Sequence, residues 1–128
     1  MVMLYIGGYR GCVGASLRGD CDDSCAPTQV MMALQPLFLL GVSCLWIDCH
    51  YLTTLSACGQ RVVLATTEQA RAQGLQLHWC GLSADLLTVL LSDPMSASLS
   101  LLPATAYQGP LALTQEQVPV TAQHYCFC

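Results

Sequence analysis

Ile47-Asp-Cys-His-Tyr-Leu-Thr-Thr-Leu-Ser-Ala-Cys-Gly59 opens the stretch that decides the fold, and Gly74-Leu-Gln-Leu-His-Trp-Cys-Gly81 closes it. Between them, Gln60 to Gln73 carries neither proline nor glycine. The short apolar run from Cys44 to Ile47 reads as a strand that ends at Asp48. A loop then climbs to Ser56-Ala57-Cys58-Gly59, and a helix of about four turns follows, at roughly 3.6 residues per turn. Gly74 stops that helix, and Leu75 to Cys80 alternates apolar and polar residues as a second strand. The most unusual chemistry of this strand–helix–strand unit lies at the helix N-terminus, where unpaired backbone N–H groups gather.

Upstream, Val2 to Ile6 and Cys12 to Leu17 are strand-like runs separated by Gly7-Gly8 and Gly11, which predicts a hairpin. Arg18-Gly-Asp-Cys-Asp-Asp-Ser24 is a turn cluster, with Asp23 or Ser24 placed to cap the next helix and Pro27 suited to its first turn. That helix carries Val30, Met31, Leu34, Leu37 and Phe38 at spacings of three and four, a core stripe that Pro36 should kink or shorten. Downstream, Ser83 caps a helix over 84–91, Asp93-Pro94 ends it, and Ser96 to Leu102 reads as a last strand. The order β-β-α-β-α-β-α-β predicts an α/β layer with a mixed sheet, antiparallel at its opening hairpin and covered by helices. Residues 1–102 form that unit. Residues 103–128, with prolines at 103, 110 and 119 and no sustained period, read as an extended or loosely docked tail.

Composition narrows the function classes. The chain of 128 residues is 54% hydrophobic and only 9% charged, enough apolar material for one buried core. Four arginines and no lysine face eight acids, for a net charge of −4. Nothing here neutralises several phosphates, so no nucleic acid is expected as a partner. Val30 to Ile47 runs 18 residues without a charge, near the lower length for crossing a bilayer. Pro36, the breaker Gly41-Val42-Ser43 and the lack of flanking basic anchors favour a helix, a turn and a strand, and no span is expected. Met1 to Ile6 lacks a basic n-region and reaches Gly7-Gly8 too soon for a secretory signal, so a cytoplasmic setting with reduced thiols is expected. The nine cysteines, an odd count, then pack as small hydrophobes.

Four features resemble the STAS domain, the module shared by sulfate transporters and anti-sigma-factor antagonists, over about residues 2 to 102. Gly19-Asp-Cys-Asp22 sits where that family has Gly-Glu-Leu-Asp, followed by Ala26-Pro27. Leu45 to Asp48 resembles its central strand. Ser56-Ala57-Cys58-Gly59 lies where the family has Asp-Ser-Ser-Gly or Asp-Thr-Gly-Gly. Glu68 to Gly74 and Leu77-His-Trp-Cys-Gly-Leu-Ser83 are similar to the end of its next helix and strand, without a gap from Asp48 to Ser83. The resemblance implies a STAS fold and a switch loop in which the serine just before the glycine is phosphorylated by a partner anti-sigma kinase. Here that position is Cys58, and the preceding acid is Ser56. A thiol is not the ordinary phosphoacceptor, so the usual phosphoserine switch is not expected.

The candidate partner-binding or switch residues are therefore Asp22, Thr53, Thr54, Ser56, Ala57, Cys58, Gly59 and Arg61. Each has a plainer use. Cys58 at a helix N-terminus gains thiolate character, or packs under the loop as a small residue. Ser56 is a substitute phosphoacceptor or an N-cap. Asp22 is an acid beside the loop or a turn former. Cys21-x3-Cys25 and His124-Tyr-Cys126-Phe-Cys128 hold ligating side chains but no complete set of four, and His50 and His78 lack partners at zinc spacing. With no phosphate-cradling loop, nucleophile triad or paired catalytic carboxylates, no enzyme activity and no cofactor or metal is expected. Two functions remain. One is an anti-sigma-antagonist-type regulator docking a kinase. The other is an accessory subunit, resembling the small STAS protein of bacterial phospholipid-transport ABC systems, that binds the ATPase.

Overall fold

A computed structural model describes residues 2–9, 12–21, 27–119 and 122–127. The sheet starts from a long hairpin: β1 (Val2–Tyr9) and β2 (Cys12–Cys21) pair antiparallel from Val2↔Gly19 to Tyr9↔Cys12. Both strands outrun the expected ends at Ile6 and Leu17. Gly7-Gly8 continues β1 instead of breaking it. At Gly8, with φ of 106°, a Cβ would collide with the Cys12 carbonyl oxygen, so the pairing persists because no side chain is there.

The uncharged run from Val30 to Ile47 divides as its breakers demand. α1 (Pro27–Leu34) gives way at Pro36 to a 3-10 turn over Gln35–Leu39, and β3 (Cys44–Asp48) follows. Among the described residues no helix is long and apolar enough to cross a membrane. On one edge, β2 receives two parallel neighbours in succession. β3 pairs with its first half, from Gly14↔Trp46 to Ser16↔Asp48. The chain turns through residues 49–51 and returns as β4 (Leu52–Leu55) against the second half, from Gly19↔Leu52 to Cys21↔Leu55. The register shifts between Gly19 and Asp20, a bulge, and the Gly19 N–H crosses the break to the Tyr51 carbonyl at 3.0 Å. Sequence reading expected only a loop where β4 lies.

α2 (Ala57–Ala72) then leads to β5 (Gln76–Cys80), which pairs parallel with β3 from Cys44↔Gln76 to Asp48↔Cys80. The end of α2 follows from its glycine. Gly74, at φ of 76°, donates to the Arg71 carbonyl and Leu75 to that of Ala70, both at 2.9 Å, which closes the last turn. α3 (Ala84–Leu91) begins at Ser83, whose hydroxyl accepts from the Leu86 N–H at 3.3 Å, as expected. The expected strand from Ser96 is shorter, β6 (Ser100–Leu102). The Asp93 carboxylate accepts from the Met95 N–H at 2.9 Å and Pro94 starts a 3-10 turn over Pro94–Ser98, which takes the first half of that run.

The strand order is β6-β5-β3-β2-β1-β7, with β4 beside β2. Period-2 alternation sorts the faces. Leu4, Leu17, Leu45, Ile47, Leu77 and Trp79 are buried in one cluster with α1, α2 and α3, and the Trp79 indole donates to Thr67 on α2 at 3.0 Å. Burying each such side chain stabilises the fold by about 1.5–3 kcal/mol. Ser16, Arg18 and Asp48 belong to the alternate positions, and the chain beyond Pro103 covers them. That segment holds short 3-10 turns at Ala104–Ala106 and Leu111–Thr114, then adds β7 (Gln123–Phe127), antiparallel to β1. It is thus tied into the molecule at both ends, unlike the expected loose tail. Its fastening is Arg18, 6% exposed, which donates to the carbonyls of Glu116 and Leu113 at 2.8 Å each and to that of Gln115. The guanidinium also lies 4.3 Å from the ring centroid of Tyr51 and 5.2 Å from that of Tyr5.

Candidate functional site

The switch-like loop is built by the second half of β2. Beyond the bulge, Asp20 faces outward beside β4, and its Oδ1 accepts from the Thr53 hydroxyl at 2.5 Å and the Thr54 hydroxyl at 3.3 Å. The Thr53 hydroxyl also lies 2.9 Å from the Gly19 carbonyl. Leu52 and Leu55 turn inward while Thr53 and Thr54 stay exposed. The Ser56 N–H donates to the Cys21 carbonyl at 2.9 Å and ends the pairing. Ser56 then becomes the N-cap of α2: with ψ of 176° its hydroxyl accepts from the Gly59 N–H at 3.2 Å, and its carbonyl accepts from Gln60 at 2.8 Å. The plainer use of Ser56 is therefore the one observed.

Gly59 is buried, and its identity is dictated by a close approach. A Cβ there would lie 2.8 Å from Leu55 Cδ1, 2.9 Å from the Cys21 carbonyl oxygen and 3.1 Å from Cys21 Sγ. The first turn of α2 thus rests directly on the end of β2. Ala57 is exposed and Cys58 half-buried. Arg61, one turn on, directs Nη2 to Cys58 Sγ at 3.1 Å. The thiol is accordingly held by a cation on its own helix, at the mouth of the loop.

Six of the eight candidate residues come together on this one surface, Gly59 lies buried beneath it, and Asp22 lies outside the described residues. Sequence reading missed Asp20, whose carboxylate organises both threonines. Its signal was its place in Gly19-Asp-Cys-Asp22, but the register shift that sets Asp20 against Thr54 is not written in that motif. It also missed Met95. This side chain, 64% exposed, lies with Arg61, Leu64, Ala65, Glu68 and Ser98 around a groove of about 300 Å³ between α2 and the 94–98 turn. Arg71 pairs with Glu68 at 2.5 Å and donates to the Ser98 carbonyl at 3.0 Å, which fixes two of the residues that line the groove.

Cys12, Cys44, Cys49 and Cys80 are not part of this surface. Cys12, Cys44, Cys49, Cys58 and Cys80 are free thiols, and burial pushes the Cys80 thiol up to about 11 and that of Cys49 well above its ordinary value. Such groups stay protonated and inert at neutral pH. Cys25 and Cys128, two of the five ligating side chains in the Cys21–Cys25 and His124–Cys128 runs, lie outside the described residues. Among the described residues no three His, Cys, Asp or Glu side chains cluster to hold a metal ion.

No protein-family model matches the sequence, and no curated protein matches it significantly. Solved structures do. The Bacillus cell fate determinant SpoIIAA in its phosphorylated form aligns with a TM-score of 0.57 and 15% identity, over 77% of this chain and 89% of that one. The anti-sigma-factor antagonist SpoIIAA in its unphosphorylated form gives the same score and identity, over 77% and 86%. The chain therefore has the fold of SpoIIAA, the STAS architecture that the sequence resemblance predicts.

Proposed function

We propose that the chain is a regulatory protein-interaction module of the anti-sigma-factor-antagonist type that works without a phosphoserine switch. It docks its partner through the 53–61 loop and the exposed side of α2, as a non-enzymatic protein of the cytoplasm. The observation that carries this reading is Cys58, immediately before the buried Gly59 and held by Arg61, where the resemblance puts a phosphorylated serine. Ser56, the nearest hydroxyl in the sequence, is engaged in capping α2. Support comes also from the neighbouring groove. Met95, Leu64 and Ala65 offer an apolar anchor point, and Arg61 and Glu68 rim it with charge, the usual layout of an interface centre.

In the parent family, a dianionic phosphate at this helix N-terminus breaks docking by charge and bulk. A chain that cannot take the phosphate is locked in its binding form. The same loss of the serine favours a second reading, an accessory subunit that binds the ATPase of a phospholipid-transport ABC system. Purification of the tagged chain from its native host separates the two: an anti-sigma kinase supports the first, an ABC ATPase the second. With either partner, Cys58→Asp weakens binding by about 1–3 kcal/mol while Cys58→Ser leaves it intact. A Cys58→Asp chain that binds as tightly as wild type overturns docking through this loop.

A further inference from the structure

Asp48 ends β3 with only 2% of its surface exposed. Its contacts are long: the Ser16 hydroxyl donates to Oδ2 at 3.5 Å and the His50 N–H to Oδ1 at 3.4 Å. Both lie at the limit of a hydrogen bond, and a carboxylate offers about four acceptor positions. Arg18, on the neighbouring strand, directs its N–H groups to Ser16 and to the carbonyls of residues 113, 115 and 116. Burial outweighs these partners and raises the Asp48 carboxyl above its ordinary value. A buried acid so weakly paired is costly to the fold unless something else meets it.

Asp48 lines a cleft of about 350 Å³ where the chain after β6 crosses the end of β3, and His50, Thr105, Tyr107, Leu111 and Thr114 complete its walls. That is the lower end of ligand-pocket sizes. The Tyr107 hydroxyl donates to the Pro110 carbonyl at 3.1 Å and the Thr114 hydroxyl to that of Leu111 at 2.7 Å. With those protons committed, the two hydroxyls have only lone pairs left to offer a ligand. Leu111 and the Tyr107 ring add apolar surface, and among the described residues no arginine lines the cleft. The His50 ring and the Thr105 hydroxyl can each donate or accept, so the weakly paired Asp48 carboxylate is the feature that selects the ligand. From it we infer that the cleft binds a small organic cation, with an alkylammonium group meeting Asp48. The site is separate from the 53–61 loop and stands whether or not that loop docks a partner.

The test is a titration of the isotope-labelled full chain with ethylammonium chloride at neutral pH, read by backbone amide shifts, with sodium acetate and ethanol as controls. Saturable shifts at His50, Thr105, Tyr107 and Thr114 are expected, with a Kd on the order of millimolar. Neither control saturates there. Asp48→Asn, close in shape but uncharged, weakens the binding by roughly tenfold or more. Since a buried substitution can unfold the chain, Thr105→Phe serves beside it: this exposed wall residue fills the cleft and leaves the carboxylate in place. A native spectrum with the saturation gone is expected for that variant. Shifts that stay linear to about 100 mM overturn the inference. So does saturation by ethanol, by a folded Asp48→Asn chain at wild-type affinity, or by the Thr105→Phe chain at wild-type affinity.

Discussion

The glycine of the loop shows how one missing methyl group sets the geometry around it. Alanine is the better helix former by about 1 kcal/mol, so propensity alone favours Gly59→Ala. Against this, a Cβ at that place meets Leu55, the Cys21 thiol and the Cys21 carbonyl oxygen, all between 2.8 and 3.1 Å. Leu55 can rotate away, but a backbone oxygen cannot, and overpacking costs about 1–3 kcal/mol. The clash wins: Gly59→Ala loses about 1–2 kcal/mol in urea unfolding. An unchanged or raised midpoint would show that the end of β2 yields without cost, and that the loop is not pinned as described. Ser56 belongs to the same scale. Its capping bond spans only three residues, which is why the serine, and Ser83 after it, could be read from sequence.

Among the elements, the polar fastening of residues 103–119 falls chiefly to one side chain, beside the burial of Tyr107 and Leu113. Arg18 is buried on β2 and reaches three carbonyls of the covering segment. Bonds from a charged donor are worth more than neutral ones, and removing the cation strands the acceptors it served. Arg18→Met keeps much of the stem but none of the bonds. It is expected to lose about 2–4 kcal/mol of stability, with new proteolytic cuts within 104–119 found by mass mapping. Unaltered cleavage would mean that β7 and the buried Tyr107 and Leu113 hold the segment without Arg18. These elements were also the ones least legible in the sequence. β4 is four residues long with two exposed threonines at its centre, so it has no alternation to read, and its partner is fixed by a bulge some 33 residues away. In β7, Gln-His-Tyr-Cys-Phe lies at the sheet edge and its partner is β1, at the other end of the chain. Pairing set by such distant contacts leaves little trace in local pattern. β3, α2 and β5 were legible for the opposite reason: their apolar periods, caps and terminal glycine are all local.

At the scale of the whole molecule, the sheet divides two tasks. Its helix-covered face holds the core and presents the α2 N-terminus with the 53–61 loop, while its other face is closed by the C-terminal segment and carries the Asp48 cleft. The fold is that of SpoIIAA, yet the residue before the loop glycine is a thiol. We propose that this exchange leaves a docking module locked in its binding state. The decisive measurement is the affinity of the purified chain for the anti-sigma kinase proposed as its partner, before and after incubation with ATP, with phosphopeptide mapping of the same sample. An affinity unchanged within about twofold, well under 1 kcal/mol, and no stoichiometric phosphate on the chain are expected. A stoichiometric phosphate on Ser56 accompanied by loss of binding would contradict it.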